Sequence, residues 1–198
     1  MKSVVLAAAL AGTVFSASAN AQSQGEWTLG VGVGFLDPKS DNGTVAGARL
    51  DINNNTRPIF TAEYFIRDNI GIEILAATPF KHDLKLDGQH IGNTDHLPPT
   101  ISVNYHFPTY NAWKPYLGIG ANYTFFFDTH SNLGDLDIDN SFSASVQAGI
   151  DYKFTDRDAA RVNIRWFDLD ADVKLNGDKI GKAKIQPWLF SVGYVRSF

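Results

Sequence analysis

The chain has 198 residues, no cysteine and a formal net charge of −4 at pH 7. The lack of cysteine excludes a disulfide framework, and without a basic patch a nucleic-acid partner is not expected. Aromatic residues make up 13% of the chain, although its mean hydropathy is −0.15. A polar average with many aromatic residues is typical of a transmembrane β-barrel, in which lipid-facing and lumen-facing residues alternate. No later stretch approaches about 18 consecutive apolar residues, so a transmembrane helix is not expected.

Residues 1–21 have the pattern of an export signal. Lys2 supplies a positive charge, the run from Val4 to Phe15 is apolar, and Ala19-Asn20-Ala21 is a small-residue cleavage site. The apolar run is too short to cross a bilayer of about 30 Å as a helix. The sequence therefore predicts a cleaved secretory signal peptide at 1–21 and a single β-barrel domain at 22–198.

Eight stretches downstream alternate apolar and polar residues with a period of two, as strands do and helices do not. In chain order they are residues 26–36, 57–66, 70–77, 99–107, 117–127, 141–154, 161–169 and 188–198. The sixth is the clearest, because Phe142, Val146 and Ile150 belong to a wholly apolar face and Ser143 and Gln147 to a wholly polar one. It is longer than a typical globular strand, which favours an apolar face turned towards lipid.

The connections between these stretches alternate between long and short. Surface loops are predicted at 37–56, 78–97, 128–140 and after residue 169, and short links at 67–69, 108–114 and 155–157. This asymmetry is typical of bacterial outer-membrane barrels. We therefore predict an all-β fold, an eight-stranded antiparallel transmembrane β-barrel with long extracellular loops and short periplasmic turns. Its predicted location is the outer membrane of a Gram-negative bacterium.

On this orientation the outward aromatic residues form two belts, as expected at the two interfaces of a bilayer. The periplasmic belt contains Trp27, Tyr64, Tyr105, Phe107, Tyr152, Phe154, Tyr194 and Phe198, and the outer belt contains Phe35, Phe60, Phe125, Phe127, Phe142, Trp166, Trp188 and Phe190. Arg196 also faces outward and is expected to snorkel to the interface. The alternative is a soluble lipocalin-like barrel, with the apolar face of 141–154 inside. Parity alone leaves that choice open.

Several segments resemble a known family. They are residues 69–82, which include Ala76-Ala77-Thr78-Pro79-Phe80, and residues 96–100, 114–123 and 126–128. With the rest of the mature chain, they are similar to the outer-membrane protein W (OmpW) family. The resemblance implies an eight-stranded outer-membrane barrel with a narrow apolar lumen that passes small hydrophobic molecules, and some members serve as receptors for bacteriocins or phages. It also aligns Arg165 with a lumen tryptophan of a family member.

The inward-facing residues divide by their height in the barrel. A charge plug is predicted in the periplasmic half, formed by Glu63, Glu73, Asp151, Lys153, Arg161 and Arg165. These charges are expected to pair, because an unpaired buried charge is costly. A ligand-binding apolar lumen is predicted above them, formed by Ile59, Leu75, Ala77, Phe126, Phe167 and Leu189. A wide aqueous pore is excluded, since eight strands leave little more than room for their own side chains.

An apolar solute that enters from outside would stop at the charge plug, so its exit must be sideways. Pro79 on the third strand and Pro98 and Pro99 on the fourth remove amide donors at the outer ends of adjacent strands. We therefore expect a lateral gate there, through which small hydrophobic molecules diffuse into the bilayer, although prolines also simply end strands at loop boundaries. The alternative is a structural or receptor barrel with an inert lumen, whose loops bind a bacteriocin or phage.

Other chemistry is not expected from the sequence. No catalytic triad is evident, so neither an enzyme nor a metal or other cofactor is predicted. The second loop is rich in histidine but lacks regular metal-ligand spacing, with His82, Asp83, His90, Asp95 and His96. Asp168, Asp170 and Asp172 would lie above the hydrocarbon, where they would bridge divalent cations to lipopolysaccharide. The expected partners are outer-membrane lipid, lipopolysaccharide and small hydrophobic solutes.

Overall fold

The computed structural model describes residues 22–198, so the signal peptide predicted at 1–21 lies outside the described residues. No helix in this range is long and apolar enough to span a membrane. The strands in chain order are β1 (Trp27–Asp37), β2 (Thr44–Val45), β3 (Ala48–Ile52), β4 (Asn55–Arg67), β5 (Ile70–Ala77), β6 (Phe80–Leu86), β7 (Gln89–Leu97), β8 (Thr100–His106), β9 (Trp113–Ser131), β10 (Leu136–Ile138), β11 (Ser141–Lys153), β12 (Asp158–Phe167), β13 (Asp170–Leu175), β14 (Asp178–Lys184) and β15 (Trp188–Ser197).

Eight of these strands form a closed antiparallel barrel. In order around the barrel they are β1, β4, β5, β8, β9, β11, β12 and β15, each paired with the next. The last strand pairs with the first from Thr28↔Ser197 to Asp37↔Trp188, so the barrel has no free edge. The predicted eight-stranded barrel is confirmed, with short links at one end and long connections at the other.

The polar face of each barrel strand points inward and the apolar face outward. On β11, Ser143, Ser145 and Gln147 are buried, whereas Phe142 is 73% exposed. On β9, Ile119 is 69% exposed. A soluble barrel would leave such side chains in water, so this arrangement excludes the lipocalin-like alternative and is the one that a lipid-facing surface requires.

The long connections predicted at the extracellular end are present, but they are not irregular loops. The four long connections contain seven short strands, which join the upper part of β9 in one outer sheet of order β10-β13-β14-β2-β3-β6-β7-β9. These strands look like loops in composition because their outward face is charged. In β6, buried Phe80, His82 and Leu84 alternate with exposed Lys81 and Asp83.

Tight turns join three pairs of these outer strands. Ala46-Gly47, Asp87-Gly88 and Asn176-Gly177 each have positive φ at both residues, between 47° and 90°. Two consecutive residues with positive φ form the type I′ turn, whose twist matches that of antiparallel strands. The outer sheet is therefore built mainly from hairpins that rise above the barrel.

Strand β9 belongs to both the barrel and the outer sheet. It has 19 residues, and strand geometry makes it roughly 60 Å long. Its lower part pairs with β8 and β11, and its upper part pairs with β7 from Leu97↔Phe125 to Gly92↔Ser131. β10 also lies against β9, so the outer sheet nearly closes into a second ring above the first.

One apolar core fills the upper barrel and the outer sheet. It runs without a break from Leu75 and Leu189 in the barrel to Leu50, Leu84 and Val173 in the outer strands. The interior is therefore divided by polarity, with hydrocarbon side chains on the extracellular side and polar side chains on the periplasmic side.

Candidate functional site

The six residues predicted to line the apolar lumen lie in this one core. Ile59, Leu75, Phe167 and Leu189 are buried within it, and Ala77 and Phe126 are half-buried and pack against it. Phe126 lies higher than the others, because the part of β9 that carries it pairs with β7 of the outer sheet. The core also contains residues of the outer strands, such as Leu84 and Val173, which the prediction of surface loops left out.

Arg161 is the centre of a buried ion network below the apolar core. Its guanidinium donates two hydrogen bonds to Asp151, at 2.7 and 2.8 Å, and one to Glu73 at 2.9 Å. A second carboxylate, that of Glu63, lies 3.6 Å from the same group. The guanidinium also lies 4.7 Å from the centre of the Tyr116 ring, in cation–π geometry. One cation thus balances acidic residues from three different strands.

Arg165 completes the upper side of the network. It donates hydrogen bonds to Glu73 at 2.6 Å and to Gln147 at 2.7 Å. Arg165 and Glu73 are each 1% exposed, so each side chain depends on the other for compensation of its charge. Arg165 is therefore part of the polar floor of the lumen, together with Glu73 and Gln147.

Further polar side chains connect the members of the ion network. Asn104 and His106 bond to Glu63 at 2.9 Å, and Asn163 donates to the Tyr116 hydroxyl and to Gln147. Asn104, His106 and Asn163 were not predicted to belong to the charge plug, although they face inward by parity and lie in the periplasmic half of their strands. The floor is a hydrogen-bonded layer that fills the barrel section.

Lys153 lies outside this network. Its side chain is half-buried at the periplasmic mouth, beside a small cavity that Asp151 and Arg157 also line. Within residues 22–198, no ion pair to its ammonium group is formed. Five of the six residues predicted for the charge plug are thus brought together by the fold, and Lys153 is not joined to them.

The three prolines predicted as a lateral gate lie between strands, not on them as predicted. Pro79 falls between β5 and β6, and Pro98-Pro99 between β7 and β8, because proline has no amide to continue the ladder. The pairing of β5 with β8 ends at Leu75↔Thr100. The next pair above it, Phe80↔His96, joins β6 to β7.

The two sides of this break remain attached to their other neighbours. Ala76 and Ala77 pair with β4, and the Pro99 carbonyl accepts a hydrogen bond from the Tyr123 amide of β9. In the described chain, no ladder pair joins residues 76–79 to residues 97–99. The barrel wall therefore has a break in its hydrogen bonding at the height of the apolar core.

An outer chamber lies inside the outer sheet, above the barrel. Its walls include Val45, Leu50, Leu84, Ile138, Val173 and Ile185, and the packing leaves a cavity of about 40 Å³. The histidines of the second long connection, His82 and His96, also line it and are each 2% exposed. Their rings stack at 4.9 Å between Phe80 and Phe126, which makes an aromatic row along one wall.

Both chamber histidines are neutral at neutral pH. Burial is the largest of the effects that bring the pKa of His82 down to about 4; the Arg57 guanidinium acts in the same direction, and the Asn53 carbonyl, Asp83 and Asp95 oppose it. Burial likewise holds the pKa of His96 well below its usual range.

The structure does not bring the predicted cation-binding residues together. Asp172 pairs with Lys179 at 2.6 Å, and Asp168 accepts a hydrogen bond from Gln186. Within residues 22–198, no group of three or more His, Asp or Glu side chains is arranged to hold a metal ion. The expected bridging of cations from Asp168, Asp170 and Asp172 to lipopolysaccharide stays a prediction. Arg196, which is expected to snorkel to the interface, pairs with Asp158 at 3.0 Å.

Comparison with known proteins places the chain in a family. The family model described as the OmpW family matches residues 16–198. Outer membrane protein W of Escherichia coli K12 is 34% identical over 211 residues, covering 98% of this chain and 99% of the relative. A more distant relative, the "Dibenzothiophene metabolism operon protein PahQ" of Pseudomonas aeruginosa, is 26% identical over 162 residues, 78% of this chain and 77% of the relative.

The fold is also similar to that of solved structures. The crystal structure of the outer membrane protein OprG from Pseudomonas aeruginosa superposes with a TM-score of 0.78 at 26% identity, covering 89% of this chain and 97% of OprG. The predicted resemblance, the barrel and the bacterial outer-membrane location are thereby confirmed. The expectation that the chain is not an enzyme is also met, because its relatives form a non-enzymatic family of barrels. The chain belongs to the OmpW family and is a bacterial outer-membrane β-barrel protein.

Proposed function

We propose that this barrel passes small hydrophobic molecules from the cell exterior into the outer membrane by lateral diffusion. A solute enters the outer chamber, moves down the apolar core as far as Leu75 and Leu189, and leaves sideways through the break above the last pair of β5 with β8. The observation that carries the proposal is the polarity of the interior, because the apolar core ends on a buried ion network.

Three further points support this route. The ion network around Arg161 fills the lower barrel, so an apolar solute has no path to the periplasmic end that avoids desolvating charges. The break in the ladder lies at the height where the apolar core ends above that network. A relative, PahQ, carries a name that refers to metabolism of dibenzothiophene, an apolar compound.

The route is tested by uptake into lipid vesicles that carry the refolded protein, using an apolar fluorescent probe and a small sugar. We expect entry of the probe and not of the sugar, with loss of probe entry in the Leu75→Lys variant. Leu75→Met, which keeps the site apolar and close in volume, is the matched control. Entry of neither probe nor sugar would refute the transport function.

The sideways exit has its own test in the Pro79→Ala and Pro98→Ala variants. Each variant restores an amide donor, which allows the ladder between β5 and β8 to extend and narrows the break. We expect slower uptake of the apolar probe in both variants. Pro108→Ala, in the exposed periplasmic link between β8 and β9, is the control. Unchanged uptake in the first two variants would exclude the gate while leaving the apolar entrance intact.

The alternative remains a receptor barrel with an inert lumen, whose outer sheet binds a bacteriocin or phage. Under this alternative, function depends on the exposed face of the outer sheet and not on the residues that line the lumen. Substitutions on the exposed face of the outer sheet, such as Lys81→Glu or Asp83→Lys on β6, would abolish partner binding. Substitution of Leu75 would then have no effect.

A further inference from the structure

The outer chamber contains polar atoms that its own walls do not satisfy. His96 has no hydrogen-bond partner for Nδ1 or Nε2 within the described chain, and His82 has none for Nε2. Both side chains are 2% exposed and line a cavity whose remaining walls are mainly aliphatic. A buried imidazole nitrogen without a partner is destabilising, so three such atoms in one apolar chamber point to a ligand that supplies the missing bonds.

The hydrogen bonding of His82 fixes what such a ligand must offer. Its Nδ1 bonds to the Asn53 carbonyl oxygen, which only accepts, so Nδ1 carries the proton. In the neutral ring Nε2 is then an acceptor, and the ligand must donate to it. Neutral His96 carries one N–H and one acceptor nitrogen, so it can donate to a ligand oxygen. A hydroxyl group fits both requirements, because it donates one hydrogen bond and accepts another.

The size and lining of the chamber restrict the rest of the ligand. The cavity of about 40 Å³ exceeds the roughly 10–15 Å³ that one water molecule needs, and it is far below the ~300–1,000 Å³ of pockets for drug-sized ligands. Its aliphatic walls favour a hydrocarbon body. Ala46 and Leu133 line the chamber and are exposed, which locates a mouth on the extracellular side.

We propose that the outer chamber binds small hydroxylated hydrocarbons, that is, short alkanols such as ethanol. The hydroxyl donates to Nε2 of His82 and accepts from the N–H of His96, and the hydrocarbon part lies against the aliphatic wall. This deepens the proposed function, on which it rests for its biological purpose, because it names a preferred class of solute and the residues that select it.

The test compares the binding of ethanol and of ethanethiol, in which a weakly hydrogen-bonding thiol replaces the hydroxyl, to the full barrel in lipid nanodiscs. Protein labelled with ¹⁵N in histidine reports the imidazole nitrogens directly. We expect ethanol to bind about tenfold more tightly than ethanethiol, the effect of one to two hydrogen bonds. Ethanol should also shift the Nε2 resonance of His82, which ethanethiol should not.

Variants separate recognition from folding. His82→Phe and His96→Leu each replace an imidazole by an apolar side chain of similar size, and each should remove the preference for ethanol without weakening the binding of ethanethiol. His90→Phe, an exposed histidine on β7, is the control and should leave the preference intact.

The outcomes distinguish this inference from the proposed function. Equal affinity for both compounds with no shift of His82 would overturn the hydroxyl site, and the nitrogens would then be satisfied by water only. If vesicle uptake of an apolar probe nevertheless proceeds, the transport function stands without this selectivity. If ethanol binds as expected but no probe enters vesicles, the site stands and the transport function fails.

Discussion

Replacement of Arg161 by methionine is expected to cost much of the stability of the barrel. Methionine retains packing against Tyr116 but removes the two hydrogen bonds to Asp151 and the one to Glu73. Hydrogen bonds to charged groups contribute about 1.5–3 kcal/mol each, so the gross loss is roughly 5–9 kcal/mol. Asp151 lies near the periplasmic mouth and can take up water or a proton, which recovers part of that loss. We therefore expect the free energy of unfolding to fall by about 3–5 kcal/mol, as for other broken buried pairs.

The measurement is urea-induced unfolding in detergent micelles, followed by the fluorescence of the four tryptophans. The control is Arg157→Met, because Arg157 is exposed in the turn between β11 and β12, and we expect a change within about 0.5 kcal/mol. Adding Asp151→Asn to Arg161→Met should recover part of the loss, since it removes one uncompensated carboxylate. If Arg161→Met cost less than about 1 kcal/mol, the carboxylates would not depend on this arginine, and the reasoning about the floor would be refuted.

Three other predictions concern separate parts of the molecule. His82 and His96 have folded pKa values below that of a free histidine, so the unfolded chain binds more protons below about pH 6.5. Protection factors for amide hydrogen exchange in β6 and β7, which correct for the pH dependence of the intrinsic rate, should therefore fall as the pH falls from 6.5 towards 4, and a flat profile would contradict the buried neutral rings. Gly177 has φ +90°, so Gly177→Ala should destabilise the β13–β14 hairpin by about 1 kcal/mol, seen as faster exchange in β13 and β14 with an unchanged barrel midpoint. Ile119→Lys on the lipid face should lower the stability of the barrel in bilayers by about 2–4 kcal/mol, and a loss below 1 kcal/mol would argue against a midplane position.

The sequence was sufficient to locate the barrel strands, because apolar and polar residues alternate along each of them with a period of two. On β11 the serines and Gln147 point inward and Phe142 outward, as parity required. Parity could not decide between a lipid-facing and a water-facing apolar surface. That choice needed the closed ring and its exposed hydrocarbon face.

The outer sheet was missed for a physical reason. Its strands are short, its outward residues are charged, and its pairings join segments far apart in sequence, such as Val45 with Gly181. The turns Asp87-Gly88 and Asn176-Gly177 were available as hairpin signals and were not used. The residues of the candidate site were likewise predicted only in part. Parity placed most of the charged floor, but the two histidines of the outer chamber were treated as solvated loop residues.

Two features bear on the order in which the molecule assembles: β9 is shared by the barrel and the outer sheet, and Val45 pairs with Gly181. The outer sheet joins the first long connection to the fourth through β2 and β14, just as the barrel joins its first strand to its last. Contacts between such distant segments form late, because a large loop must first be closed. The outer chamber therefore comes into existence only after all eight strands have crossed the membrane and the ring has shut. An unfinished barrel would have an apolar interior but no enclosed outer chamber, so the proposed selection of solutes would require the completed protein.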